Sequence, residues 1–123
     1  MSIKVKSLDF SSSIVVEIED PHGNKSRVSF KRKLSRDQRL EIADLTKRIE
    51  SLSEQEKGEA WLAYIYEQLE SIEGLYQAGK EITVEMIKAG DVFQSVLALI
   101  QKCYIVAVQN DGEESEKKDT ATA

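Results

Sequence analysis

The residues of this chain that could do chemistry are few and scattered. His22 is the only histidine and Cys103 the only cysteine, so the chain has no Cys/His cluster for a structural zinc ion. A Ser–His–Asp triad is compositionally possible through His22, but nothing in the sequence supports its geometry. His22 lies in a polar Pro-His-Gly-Asn turn, and Cys103 lies in an apolar helical pattern that predicts a buried, unreactive thiol. The chain also lacks a phosphate-binding glycine loop and a nucleophile elbow. We therefore expect no enzyme activity, no cofactor and no metal.

Charge is segregated along the chain, although the net charge is only −5. Residues 25–48 hold nine Lys/Arg against three Asp/Glu, whereas residues 49–80 hold two against seven. Residues 111–123 hold two Lys against five Asp/Glu. This asymmetry predicts electrostatic steering of a partner or head-to-tail self-association.

The densest cation cluster spans residues 31–39, here called the basic junction because it joins a predicted strand to a predicted helix. Such a junction could contact phosphates, protect a sheet edge or meet an acidic protein surface. Nucleic acid is disfavoured because the chain as a whole is acidic and no aromatic side chains interleave the cations. We predict partner contacts for Lys31, Arg32, Arg36 and Arg39.

Aromatic residues concentrate on a predicted helix that begins near residue 54. Its apolar seam consists of Leu62, Ile65, Leu69, Ile72 and Tyr76. Trp61 and Tyr64 fall off this seam, so they either widen the core face or anchor an interface. Both are therefore candidate partner-binding residues.

A change of hydrophobic period near Ser35 defines the elements that must position these residues. Before Ser35 apolar residues alternate, which predicts strands at 13–20 and 25–33 around a turn at 21–24. This hairpin should pair with the segment 3–10, in which a shift of parity predicts a bulge near Ser7.

After Ser35 the spacing is helical, and polar residues predict where each helix starts. Ser35 and Ser53 each begin a capping-box pattern, Thr83 should cap a short helix ended by Gly90, and Asp91 should cap the last helix. That helix is apolar on most sides and should be central to the core. The β-branched run 105–108 could extend it or form a final strand.

These patterns predict an α+β fold, with a small N-terminal antiparallel sheet followed by a mostly helical body. We expect one domain at 1–110 and a disordered acidic tail at 111–123, where large apolar residues are missing. The sequence shows neither a membrane-spanning apolar run nor a signal-peptide pattern, so we expect a cytoplasmic protein.

This organisation resembles the tail assembly chaperones of long-tailed bacteriophages, which are encoded between the major tail protein and the tape measure. The matching features are the strands at 3–33, the helical body at 36–108, the small acidic size and the charged tail. That family makes a longer form by ribosomal frameshifting, and Glu116-Lys117-Lys118 could be encoded with the slippery heptamer A AAA AAG.

The resemblance implies a protein of the host cytoplasm that binds an extended hydrophobic tape-measure protein and keeps it soluble, without enzyme activity. It carries over no residue-level site. Protein binding, with possible homo-oligomerisation, is the function we expect, because segregated charge and exposed apolar positions suit a groove for an apolar helix. The alternative is a small nucleic-acid-binding regulator that uses the basic junction.

Overall fold

The computed structural model describes residues 2–5 and 12–110. The strands are β1 (Ser2–Val5), β2 (Ser13–Glu19), β3 (Lys25–Lys31), β4 (Leu69–Glu73), β5 (Tyr76–Gln77) and β6 (Lys80–Glu81). The helices are α1 (Ser35–Ile49), α2 (Glu54–Gln68), α3 (Val84–Ala89) and α4 (Gln94–Asn110). The predicted bulge near Ser7 and the predicted disordered tail at 111–123 lie outside the described residues.

The predicted α+β class is confirmed, with an antiparallel N-terminal sheet followed by helices. In the larger sheet, the order β1-β2-β3-β4 brings the hairpin and the first strand together as expected. Alternating residues of β2 and β3 pair across the sheet, with Val16 opposite Val28 and Ile14 opposite Phe30, and all four are buried. Period-2 patterning therefore directs one face of the sheet into the core.

Helix α4 covers that apolar face, which agrees with the prediction that the last helix is central to the core. Ile100, Cys103 and Ala107 follow one another at helical spacing and are at most 1% exposed. They belong to the same buried cluster as the inward residues of β2 and β3. The run 105–108 continues this helix, so the alternative of a final strand is wrong.

The segment after Gln68 corrects the prediction of one continuous helix through Tyr76. Helix α2 ends at Gln68, and β4 pairs with β3 through Leu69 opposite Phe30 and Ile72 opposite Val28. A register shift within this pairing adds one residue to β4, so Leu69 and Ile72 both contact the core although they are three residues apart. A bulged strand thus reproduces the apolar spacing of a helix.

The helix starts differ from one another despite similar sequence patterns. The Ser53 capping box is confirmed, because the Ser53 hydroxyl accepts from Glu56 N–H at 3.2 Å and the Glu56 carboxylate accepts from Ser53 N–H at 3.1 Å. The corresponding prediction for Ser35 is wrong, because α1 already includes Ser35 and has Leu34 at its N-cap without a side-chain bond.

The cap and the stop predicted for α3 are both confirmed. Thr83 accepts from Met86 N–H at 3.2 Å, and Gly90 ends the helix with a φ of 79°. Asp91 takes part in this ending, since its N–H donates to Met86 O at 2.9 Å. Because α4 begins three residues later, at Gln94, the prediction that Asp91 caps the last helix is wrong.

Candidate partner-binding surface

The basic junction lies where β3 passes into α1. Lys31 is the exposed last residue of β3, and Arg36 and Arg39 are exposed in the first turns of α1. Arg32 lies between them and is half-buried, and its backbone N–H donates to Ser12 O at 2.9 Å. The structure therefore keeps the four predicted cations at one end of the sheet.

Within this junction, the Lys33 side chain forms an intramolecular ion pair. Its Nζ lies 2.6 Å from Glu41 Oε1. Tyr64 on α2 donates to the same Glu41 oxygen at 3.2 Å. These contacts join the segment after β3 to α1 and α2, so Lys33 serves to position α1.

Tyr64 lies in the packed interface between α1 and α2. It is 8% exposed and shares a cluster with Leu45 and Ile49, while Trp61 stands edge-on to its ring at a centroid distance of 6.2 Å. Burial, with Tyr104 and Glu41 alongside, raises the pKa of Tyr64 well above its usual value. The structure thus places Tyr64 in a core cluster, and Trp61 packs half-buried against the same cluster.

The exposed cations remain available for contact with a partner. The Arg36 side chain is 76% exposed, and its Nε lies 3.8 Å from Asp37 Oδ1. An ion pair between exposed groups at this distance contributes little to stability. Lys31 and Arg39 are also exposed. This surface can attract an anionic group, but it contains no aromatic platform for stacking bases among residues 31–39.

The apolar surface is at the other end of the sheet, and the sequence did not point to it. A groove of about 550 Å³ lies between the N-terminal half of α4 and the β5–β6 hairpin. Its lining comprises Ile3, Leu75, Tyr76, Ile82, Ser95, Val96, Ala98, Leu99 and Lys102. Of these, Tyr76 is 65% exposed, although the seam pattern had placed it on the core face of a helix.

Hydrogen bonds hold the two walls of this groove in place. Gln77 donates to Asp91 O at 3.2 Å and accepts from Phe93 N–H at 2.6 Å. Phe93 is 60% exposed and therefore adds a second large apolar side chain beside the hairpin that carries Tyr76. Gly74 and Gly79, which flank Tyr76 and Gln77, both have positive φ, and they are the sequence signal for a turn in this segment.

A second cavity of about 660 Å³ extends the groove toward the β2–β3 turn. Leu75, Tyr76 and Leu99 line both spaces, and the extension adds Lys25 and Asp20. The two cavities are therefore neighbours that share an apolar wall, and an open surface of this kind suits a polypeptide segment better than a compact small molecule.

The β5–β6 hairpin also has part of the spacing of a phosphate-binding P-loop, with Gly74, Gly79 and Lys80 at matching positions. Glu81 stands where that motif requires Ser or Thr, and the segment forms a hairpin rather than the start of a helix. Gly74 N–H donates to Glu81 Oε2 at 3.4 Å, a contact within the protein itself. The hairpin is therefore not a phosphate loop.

The remaining candidates for chemistry lie apart. Burial raises the pKa of the Cys103 thiol to about 12, which keeps it protonated near neutral pH. His22 is exposed, and its backbone N–H donates to Asp20 Oδ1 at 2.9 Å within the turn. In residues 2–5 and 12–110, no group of three or more His, Cys, Asp and Glu side chains could hold a metal ion.

Comparisons with known proteins give no direct indication of function. No protein-family model, no curated protein and no solved structure matches the chain. Across the described part of the chain, none of the helices is both long and apolar enough to cross a membrane.

Proposed function

We propose that this chain is a non-enzymatic binding protein that covers an apolar segment of another protein. In the form that the resemblance suggests, it is a phage tail assembly chaperone whose partner is the tape-measure protein. The observation that supports this function best is the groove between α4 and the β5–β6 hairpin, with Tyr76 exposed in its wall. Exposed aromatic side chains beside an apolar groove are typical anchors for a partner.

The occupant that this groove fits is the apolar face of an amphipathic helix with acidic flanks. Leu99, Val96 and Ile82 supply apolar lining, and Lys102 lines the same groove. Lys25 lines the neighbouring cavity together with Asp20. Lys102 is the charged residue of the groove lining, and it favours a partner that has Asp or Glu beside its apolar residues. A tape-measure segment with that pattern would be shielded from water while bound.

A fluorescently labelled amphipathic peptide, with Leu on one face and Glu on the other, provides the test. We expect anisotropy titrations to show binding that Tyr76→Ser weakens about tenfold or more, because burial of half an aromatic side chain contributes roughly 2 kcal/mol. Phe93→Ser should also weaken binding of the peptide. Both side chains are largely exposed, so these variants should fold normally.

Leu40→Ser is the matched control, since Leu40 is 67% exposed but lies on α1, away from the groove. It should bind the peptide as the unchanged protein does. Equal weakening by Leu40→Ser would show unspecific apolar attraction, and full binding by Tyr76→Ser would exclude the groove.

The alternative function, nucleic-acid binding, rests on the exposed cations Lys31, Arg36 and Arg39. If these cations bound phosphates, the affinity of the protein for DNA or RNA would fall steeply as the salt concentration rises. An Arg36→Glu/Arg39→Glu variant would then no longer bind nucleic acid. We expect the unchanged protein to show no such binding near physiological ionic strength. Salt-dependent micromolar binding would favour the alternative over the chaperone.

A further inference from the structure

Helix α1 carries a row of exposed side chains on the side away from the core. Its buried residues are Leu45 and Ile49, and the opposite side of the helix is exposed. Four exposed residues at helical spacing lie there, here called the positive row: Arg36, Arg39, Ala43 and Lys47. Asp44 lies to one side of this row, where its Oδ2 pairs with Arg48 Nε at 3.1 Å. The row itself therefore presents three cations and no carboxylate.

Helix α2 carries a row of the opposite charge with the same spacing. Four of its exposed residues form the negative row: Glu56, Glu59, Ala63 and Glu67. In both rows the later residues follow the first by three, seven and eleven positions. Lys57 lies outside the negative row, is half-buried and pairs with Glu54 at 3.6 Å. Two helices of this chain thus present complementary charges in one common pattern.

Most of these charges are not paired inside the molecule. Within residues 2–5 and 12–110, the side chains of Arg39, Lys47 and Glu67 form neither an ion pair nor a hydrogen bond. Glu59 accepts a long bond from Gln55 Nε2, at 3.3 Å, between exposed groups. These charges are therefore available to a partner.

The two rows do not meet within one chain. Helices α1 and α2 pack against each other through Leu45, Ile49 and Tyr64, which belong to one buried cluster. The rows lie on exposed residues outside this interface. The surface of matching charge and spacing that the positive row can reach is therefore the negative row of a second copy.

We propose that this chain self-associates head to tail, with the positive row of one copy packed against the negative row of the next. A parallel arrangement of the two helices places each cation opposite a carboxylate and Ala43 opposite Ala63. Leu40, which is 67% exposed beside the positive row, adds apolar area to the contact. Because each copy offers one row of each charge, the contact is heterologous and leads to a ring or an open chain.

This contact leaves the apolar groove uncovered, because the groove lies between α4 and the β5–β6 hairpin. Self-association therefore does not depend on the proposed function, and binding of the amphipathic peptide and association of the chain can fail separately.

Analytical ultracentrifugation over a range of protein concentrations measures the association. At low salt the average mass should rise with concentration, and at high salt it should fall to that of the monomer, since salt screens contacts between exposed charges. A monomer at every concentration at low salt would overturn the proposal.

Reversal of charge on either row should prevent association. Arg36→Glu/Arg39→Glu and Glu59→Lys/Glu67→Lys should each lower the association constant about tenfold or more, because each places like charges opposite one another. All four side chains are exposed, so circular dichroism should show an unchanged fold. Association that neither variant weakens would contradict the proposal.

Lys80→Glu/Lys102→Glu is the matched control. It changes the net charge as Arg36→Glu/Arg39→Glu does, but at exposed residues of β6 and α4. This control should associate as the unchanged protein does. Equal weakening would attribute the effect to net charge and would count against the two rows.

Mixing the two reversal variants provides a sharper test. Neither should associate alone, but a mixture of equal amounts should, because the intact positive row of one variant meets the intact negative row of the other. A mixture that remains monomeric would refute a heterologous contact between the rows.

Disulfide formation tests the register. A mixture of Ala43→Cys and Ala63→Cys should cross-link under mild oxidation, since the parallel arrangement places these two residues opposite each other. Cys103 should not compete, because it is buried. Each variant alone should stay uncross-linked. Homodimers of Ala43→Cys, or a mixture without cross-links, would contradict the proposed contact.

Discussion

Ile100→Ala tests whether α4 is the central element of the core. Ile100 is 0% exposed and belongs to the cluster shared by α4 and the sheet. Ile105 lies on the same helix but is 50% exposed. Ile105→Ala is therefore a matched control, because both substitutions change helix propensity in the same way.

The expected cost follows from burial. The substitution removes three carbon groups, each contributing about 0.8 kcal/mol of transfer free energy, so about 2.5 kcal/mol is lost. The cavity left behind adds up to about 2 kcal/mol if the neighbouring side chains do not collapse into it. We expect Ile100→Ala to lower the free energy of unfolding by about 2.5–4.5 kcal/mol and Ile105→Ala by less than about 1 kcal/mol.

Urea unfolding, followed by Trp61 fluorescence and by circular dichroism, measures both values. Trp61 is the only tryptophan and packs between α1 and α2, so its signal reports on a second cluster of the fold. Coincident transitions would justify a two-state treatment. A loss below about 1 kcal/mol for Ile100→Ala, or equal losses for both variants, would refute the central position of α4.

Three further predictions follow from the caps, the thiol and the tail. Ser53→Ala should lower the free energy of unfolding by about 1 kcal/mol, because it removes the cap of α2. Ser35→Ala should change that free energy by less than about 0.5 kcal/mol, because Ser35 is not the N-cap of α1. Equal effects of the two variants in urea titrations would contradict the observed caps. Cys103 should react with a thiol reagent only after unfolding, so rapid labelling of native protein would show an accessible thiol. Truncation after Asn110 should leave the midpoint of thermal unfolding within a few degrees, and a larger drop would show that 111–123 contributes to the fold.

The strand hairpin could be predicted because its local and tertiary preferences agree. Buried Ile14, Val16 and Ile18 recur at every second position of β2, and a Pro-His-Gly-Asn turn separates the strands. The cap at Ser53 and the stop at Gly90 were predictable for the same reason, since each depends on residues within a few positions. The cap at Ser35 was not, because Leu34 rather than Ser35 occupies the N-cap.

The candidate surface was predicted only in part. The cations of the basic junction are contiguous in sequence, so their common location followed from the chain itself. The apolar groove combines Ile3, Tyr76 and Leu99 from three distant segments. No local pattern could bring these residues together, and Tyr76 had been assigned to a helix that the structure ends at Gln68.

The sequence by itself determined the α+β class and the period-2 pattern of the hairpin strands, because side-chain periodicity depends on neighbours along the chain. It also determined the segregation of charge and the scarcity of groups for catalysis. Tertiary structure alone decided that Leu69 and Ile72 join the sheet, since the free edge of β3 provides backbone partners and a bulge turns both side chains inward. It also decided which aromatic residues are core and which are surface, because packing of α1 against α2 buries Tyr64 while the β5–β6 hairpin leaves Tyr76 exposed.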